Sequence, residues 1–391
     1  GSETEYISVA DVPRDRLSCH PWSLSGGGAN VLLASLQECR KKIGDLVESI
    51  GFGVVTGEDD AYVAGRVLHA WRRQGACHRT LVDGDSLRDW SVRRSLNLLF
   101  PYREESPDEK LASTEVFWPL RSVLRVGVAF GKTREARGLA WLEYTLPSWS
   151  RLNAEMLIAF AEVATHNHFV LDRGGKVFKQ TAPVIKLSET ATVDDHLKLL
   201  GLLNSSTACF WLKSVCSPKG GSGIGRGIQP EDWMERYAFN ATNVAELPLP
   251  DREPLERARQ LDTLAQQLSS VMPKRICEEN TPTREALTKA RLQYEAIRAE
   301  MIAVQEELDW EVYKLYGLLD DDLTYHGDDL PGLALGQRAF EIVLGRKVLN
   351  GETDTQWFAR HGSTPIRDIP SEWPEAYREL VQKRIELIEN N

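Results

Sequence analysis

A seven-residue apolar repeat late in the chain narrows its possible folds more than any other feature. Leu287, Tyr294, Met301, Leu308 and Leu315 stand seven residues apart, and Ala290, Ile297, Val304, Glu311 and Leu318 each follow by three. Nine of these ten positions are apolar. On a helix that spacing returns to one side every two turns, which is the seam of a coiled coil; on a strand it would scatter over both faces. An earlier stripe, Leu261, Leu264, Leu268 and Val271, is closed by Pro273. With Pro273 and Pro282 in the short connection, the two helices are predicted to fold back as an antiparallel hairpin over 251–320.

The rest of the chain does not share that period. Leu247-Pro248-Leu249-Pro250 cannot continue a helix and reads as a domain exit. Between 51 and 250 short extended runs alternate with turn residues: 53–55, 62–64, 96–100, 123–130 with alternating polarity, and 177–187. Helical spacing is predicted over 156–164 and 196–211. Residues 1–50 read as a Pro/Ser/Gly-rich linker leading into an entry helix that begins at Val31 and stops at Gly51. Residues 321–391 read as an acidic region with a short helical patch and a final helix. Gly1-Ser2 and the lack of an initiator Met suggest a piece excised from a longer protein. The fold class is therefore predicted as α+β: a mixed-sheet domain, an antiparallel helical hairpin and a helical acidic tail.

Charge divides the chain in the same way. The whole carries −10, yet 251–391 holds 18 Lys+Arg against 27 Asp+Glu, so nearly all of the excess acid lies there. Residues 117–186 run the other way, with ten basic and five acidic side chains. No apolar run is long enough to span a membrane, no secretory signal is visible, and the chain reads as cytoplasmic. The six cysteines include no Cys-x-x-Cys pair, so they predict reduced thiols rather than a disulfide framework, and no zinc-ligand spacing is present.

Several motifs invite specific chemistry. Gly127-Val-Ala-Phe-Gly131-Lys132-Thr133 resembles a phosphate-binding loop. It has three residues between its glycines where four are needed to wrap a phosphate, so a strand followed by a basic turn is preferred. ATP hydrolysis dependent on Lys132 stays a minor alternative. Gly220-Gly-Ser-Gly-Ile-Gly-Arg226-Gly227 lacks the Gly-x-Gly-x-x-Gly order of a dinucleotide fold. Together with Lys213, Lys219 and Arg226 it fits either a phosphate-contacting loop or a solvated one. His166 and His168 read as hydrogen-bonded structural histidines or, second, as base or phosphate contacts. Cys77-His78 has no visible orienting partner for nucleophilic catalysis. The cluster Lys132, Arg134, Arg137, Arg173, Lys176 and Lys179 alternates with glycines and with Trp141, Tyr144 and Phe178. Surface salt bridges would explain it. The local cationic excess favours nucleic acid, with arginines on guanine edges and lysines on phosphates.

Specific blocks then point to a family. Gly51-Phe-Gly-Val-Val-Thr-Gly-Glu-Asp-Asp-Ala-Tyr62-Val63, Val82-Asp-Gly-Asp-Ser-Leu-Arg-Asp-Trp90 and Leu99-Phe-Pro-Tyr102 resemble the passage from catalytic to recognition domain in large adenine-specific DNA methyltransferases. Ala164-Thr-His-Asn-His-Phe-Val-Leu-Asp-Arg-Gly-Gly-Lys-Val-Phe178, Leu199-Leu-Gly-Leu-Leu-Asn-Ser-Ser-Thr-Ala-Cys-Phe-Trp-Leu-Lys213 and Gln305-Glu-Glu-Leu-Asp-Trp310 resemble the PglX-like methyltransferases of phage growth limitation (BREX) defence systems. The blocks cover roughly 20–320, with the acidic tail adding nothing. That family binds S-adenosylmethionine and uses an Asn/Asp-Pro-Pro-aromatic tetrad; no Asn-Pro-Pro or Asp-Pro-Pro occurs in this chain.

The resemblance therefore implies a carboxy-terminal part: a linker from a missing catalytic domain (1–50), a DNA target recognition domain (51–250), the hairpin (251–320) and the tail (321–391). Its implied partners are double-stranded DNA and its own catalytic domain, with no cofactor in this chain and S-adenosylmethionine in the missing part. No methyl transfer is expected from the chain alone. Arg134, Arg137 and Arg173 are the predicted base readers. Lys132, Lys176, Lys179, Lys213 and Lys219 are predicted on phosphates, and His166, His168 and Arg226 complete the DNA-facing set. The alternative is an interaction module whose helical tail docks other defence components or phage inhibitors.

Overall fold

The structure, a computed structural model, describes residues 29–64, 78–88, 90–112, 114–219, 235–279 and 281–390, with positions 2, 3, 8, 9 and 14 of the N-terminal stretch. The glycine-rich loop 220–227 with Arg226, and Cys19 and Cys77, lie outside the described residues. The chain forms two compact units. Unit 1 comprises 1–27, 40–196 and 209–248; unit 2 comprises 28–39, 197–208 and 249–391. Mixed small sheets and helices make the α+β class predicted from sequence.

The predicted helix over 31–50 is shorter than expected. Helix α1 spans Ala29–Gln37, and the chain then turns into strand β1, Val47–Gly51. Further along unit 1 come β2 (Val63–Ala64), β3 (His78–Val82), β4 (Leu96–Leu99), α2 (Arg121–Val126), β5 (Val128–Ala129) and β6 (Lys132–Thr133). Then follow β7 (Leu157–Phe160), β8 (Phe169–Asp172), β9 (Lys176–Phe178) and β10 (Val184–Leu187). Two four-stranded sheets result. One, ordered β8-β7-β10-β1, is antiparallel throughout. The other, β9-β3-β4-β2, is mixed: β9 runs parallel to β3, with Lys176 opposite Thr80, and the remaining pairs are antiparallel.

Two local expectations need correction. Residues 156–164 are not helical: β7 lies between β8 and β10 with all four of its residues buried. A strand covered on both faces loses its alternation, so Leu157-Ile-Ala-Phe160 shows no strand period. Residues 123–130 are not one strand either, because α2 occupies their first half. The core between these elements is aromatic. Tyr62, Tyr102 and Tyr144 meet edge to face, with ring centroids 5.0 Å (62–144) and 5.2 Å (102–144) apart. The hydroxyl of Tyr62 donates to Leu142 O at 3.1 Å, so burial of these rings leaves no orphaned hydroxyl there.

Helices α3 (Val193–Leu203) and α4 (Ser206–Val215) follow β10, as the periodicity over 196–211 predicts. A reciprocal cap starts α3: Asp195 N donates to Thr192 Oγ1 at 3.2 Å, and Thr192 N donates to the Asp195 carboxylate at 2.9 Å.

Unit 2 is helical in its larger part. Helix α5 (Leu255–Ser270) packs against α7 (Arg284–Leu315), with α6 (Pro273–Glu279) between them in sequence. Pro273 therefore ends one stripe and opens a helix, where its missing N–H costs nothing. Thr283 caps α7 by accepting from Ala286 N at 3.1 Å. The heptad stripe is buried unevenly. Leu287 is 38% exposed, whereas Met301, Val304 and Leu308 are buried. From Ala303 onward the burial extends beyond the stripe to Glu306, Glu307, Asp309, Trp310 and Val312. A two-helix seam would cover one side only.

The reason lies in the tail, whose helices α8 (Ala339–Leu349) and α9 (Glu375–Asn390) pack together and join the α7 core through Ile342, Val343, Tyr377, Val381 and Ile385. Three acids of α7, Glu306, Glu307 and Asp309, are interior here. Arg338 Nε donates to Glu306 at 2.6 Å and its Nη2 to Asp309 at 2.5 Å. Arg384, fully buried, grips both oxygens of Glu307 at 2.9 and 2.6 Å. The arginines of the acidic tail thus neutralise the Glu-Glu-Leu-Asp run of α7. No helix among the described residues is long and apolar enough to cross a membrane.

Candidate nucleic-acid interface

All of the described candidate residues fall in unit 1, but they do not form one cationic face. Arg134 is 2% exposed. Its fork points inward and donates to three backbone carbonyls: Glu143 O from Nε at 2.9 Å, Leu124 O from Nη1 at 2.6 Å and Thr56 O from Nη2 at 2.9 Å. Arg134 cannot reach a base edge from there and is corrected to an internal brace. Arg137 is half-buried: Nη2 donates to Thr145 O at 2.8 Å, while Nη1 is sealed from solvent without a hydrogen-bond partner. Its guanidinium carbon lies 5.5 Å from the Phe130 ring centroid.

Two of the predicted phosphate-binding lysines have carboxylate partners. Lys176 pairs with buried Asp172, and Lys179 pairs with Asp59. Both also sit on or beside β9, so their stems are tied to the sheet edge. Lys132, Lys213 and Lys219 are exposed. Lys132 lies on β6; Lys213, near the end of α4, stands 5.4 Å from the Tyr237 ring centroid. Arg173 is exposed in the turn between β8 and β9. That turn needs Gly174: its φ is +85°, and a Cβ there would come within 3.0 Å of Glu155 O. Arg173, Gly174 and Gly175 line an open cleft with Asn153, Glu155 and Arg79.

Arg79 was missed in sequence because it lies far from 173. The parallel pairing of β9 with β3 brings the two together. The Arg79 guanidinium carbon sits 3.8 Å from the Phe100 ring centroid, which fixes its stem and keeps its charge near the cleft.

His166 and His168 stand side by side, with ring centroids 4.2 Å apart. His166 is exposed and its Nδ1 is 3.0 Å from Thr165 Oγ1; His168 is buried. Burial lowers the His168 pKa from 6.5 to about 2, and His166, Arg88 and Arg93 push it the same way. The folded protein therefore holds His168 neutral, while the unfolded chain takes up a proton as pH falls below about 6.5. A base whose folded pKa is depressed supports stability above its unfolded value and withdraws it below. Unit 1 is expected to lose up to about 1.4 kcal/mol per pH unit from this site between pH 6 and 4. Urea titrations at stepped pH should show a His168→Gln variant with a shallower acid slope by one proton; an unchanged slope would refute the assignment. Among the described residues no group of three His, Cys, Asp or Glu is placed to hold a metal ion.

The remaining feature is a β-hairpin. The glycine–lysine motif at 127–133 folds as β5, a two-residue turn at Phe130-Gly131, and β6, with Val128 opposite Thr133. The expected strand is there, but the turn itself is not basic: Lys132 lies on the returning strand β6. Four side chains around it are unusually open: Val126 (71%), Val128 (63%), Phe130 (79%) and Trp118 (58%). Arg121 lies 5.0 Å from the Trp118 ring, and Arg125 pairs with Glu135 at 2.7 Å.

The chain is similar along its whole length to part of an adenine-specific methyltransferase. That relative is the adenine-specific methyltransferase PglX of Streptomyces coelicolor: identity is 43% over 408 aligned residues, covering 100% of this chain and 34% of the relative, its carboxy-terminal part. The chain thus spans about a third of the length of the curated relative. Residues 301–391 also match a family model described as a domain of unknown function, DUF7008. The whole-length alignment to PglX corrects the expectation that the tail adds nothing to the resemblance. Among solved structures, the type IIL restriction-modification enzyme MmeI in complex with DNA matches at a TM-score of 0.45 and 14% identity, over 72% of this chain and 34% of that one.

Proposed function

We propose that this chain is the DNA-recognising part of an adenine-specific DNA methyltransferase of phage defence, of the BREX type. The whole-length likeness to PglX, named for adenine-specific methylation, carries the reading. In the intact protein, S-adenosylmethionine binding and methyl transfer would belong to the region outside this chain, which would dock as its partner. The target adenine would be turned out of the duplex toward that region while unit 1 reads the flanking sequence.

Within unit 1 the work is divided by accessibility. Arg173, on a glycine turn that lines an open cleft together with Arg79, is the base reader. Lys132, Lys213 and Lys219 neutralise phosphates. Lys176 and Lys179, held by carboxylates, contribute less. Arg173→Ala should cost roughly 1–3 kcal/mol on the preferred sequence and little on random duplex. Lys219→Ala should weaken both alike and reduce the salt slope by about one. Fluorescence anisotropy on both duplexes at two salt concentrations separates these outcomes. Equal losses on the two duplexes for both variants would sink the division.

A second reading applies to unit 2, where Leu287 (38%) and Leu292 (62%) are exposed on the first half of α7 and suit protein docking. Deleting 321–391 would not test it, because Arg338 and Arg384 neutralise buried acids of α7. Leu292→Glu is the cleaner variant: it should abolish docking of other defence components and leave DNA affinity unchanged.

A further inference from the structure

The hairpin at 128–133 has a composition that folding alone does not account for. Phe130 and Gly131 both have positive φ, +54° and +72°. A two-residue turn of this hand matches strand twist and favours Asn or Gly at its first position. An aromatic residue there is strained, and this one is also 79% exposed, so it gains almost nothing from burial. Val126 and Val128 continue the apolar edge, also open to solvent.

The arm is nonetheless held firmly at its base. Gly127 enters it against Arg134: a Cβ at 127 would lie 2.6 Å from Arg134 Nη1. Arg134 itself follows β6 directly and is locked on three carbonyls. Cations surround the apolar tip. Lys132 is next to it, Arg137 lies against the Phe130 ring and Arg121 against Trp118. The one acid of 117–137, Glu135, is paired with Arg125. A rigid arm with an apolar point and a cationic collar complements a surface that is anionic outside and apolar within. Duplex DNA is such a surface, since phosphates flank stacked bases, and apolar wedges open base steps in this way.

We infer that Phe130 is a wedge that enters a base step and unstacks it, while the exposed Lys132 holds a flanking phosphate. This rests on the DNA-recognition reading and adds to it that the bound duplex is distorted. The test uses the full chain with a mixed-sequence duplex rich in thymine. Anisotropy reports binding, and permanganate reports unstacked thymines. The wild-type complex should show thymines made reactive by binding. Phe130→Ala should remove that reactivity and weaken binding roughly tenfold. Phe130→Trp should retain both. Phe130→Asn, which suits the positive φ, should melt no lower than wild type yet lose the reactivity, showing that the loss is not unfolding.

DNA binding with no reactive thymines, and Phe130→Ala equal to wild type, would overturn the wedge and leave DNA recognition standing. Failure of the wild-type chain to bind duplex at low salt would overturn both. Loss in Phe130→Ala of a protein partner, with DNA behaviour unchanged, would overturn the wedge in favour of protein docking.

Discussion

Replacing Arg384 by alanine is expected to destabilise unit 2 by about 3–5 kcal/mol, the largest effect of any single change considered for that unit. Arg384 is 0% exposed, and so is its partner Glu307. Burial pulls the guanidinium pKa down, but facing Glu307 it is held above its ordinary value, so Arg384 stays charged. Its Nε also donates to Leu323 O at 3.0 Å. Alanine would leave the Glu307 carboxylate in the interior, where Tyr325 N at 2.6 Å remains a donor to it. The cost lies in that stranded charge more than in the lost attraction. Replacing both residues with methionine should accordingly recover most of the loss, because neither charge then remains to be desolvated. Urea unfolding of the single and double variants measures this. A double variant as unstable as Arg384→Ala would show that packing of the arginine, not charge balance, holds the tail to α7.

Arg134→Ala is expected to cost unit 1 about 4 kcal/mol. Three carbonyls, at 56, 124 and 143, lose a charged donor at once in a site 2% exposed. Arg134→Lys should rescue little, since an ammonium cannot span the three directions of a planar fork. The variant should also free the 127–133 arm, visible as faster proteolysis there than in wild type. A small loss of stability with unaltered proteolysis would contradict the brace, and would return Arg134 to the surface role that its neighbours suggested.

Arg134 also shows where sequence reasoning stops. Its place in a Lys-x-Arg-x-x-Arg run, between glycines, is indistinguishable from that of a DNA-reading residue. What decides its role is the arrival of Thr56 and Glu143 from elsewhere in the fold, and no local pattern carries that. The same holds for Glu306, Glu307 and Asp309, whose arginine partners stand at 338 and 384. By contrast, α3, α4, α5 and α7 are legible because helical period is a local property, and β4 and β10 because apolar runs were bounded by turns. Strand β7 was misread because burial on two faces erases its alternation. The cleft of Arg79 and Arg173 depends on a parallel strand pairing across nearly a hundred residues, which is invisible to periodicity. Phe130 could have been found: an aromatic residue directly before Gly131, in a motif too short for a phosphate loop, is an odd choice for a turn.

We propose that unit 1 recognises a DNA sequence. The most direct test is selection of the full chain against a randomised duplex pool, with sequencing of the bound fraction at two salt concentrations. One short motif is expected to be enriched, with affinity falling steeply as salt rises and with the motif preference lost in Arg173→Ala. Absence of binding to any duplex at low salt would contradict it.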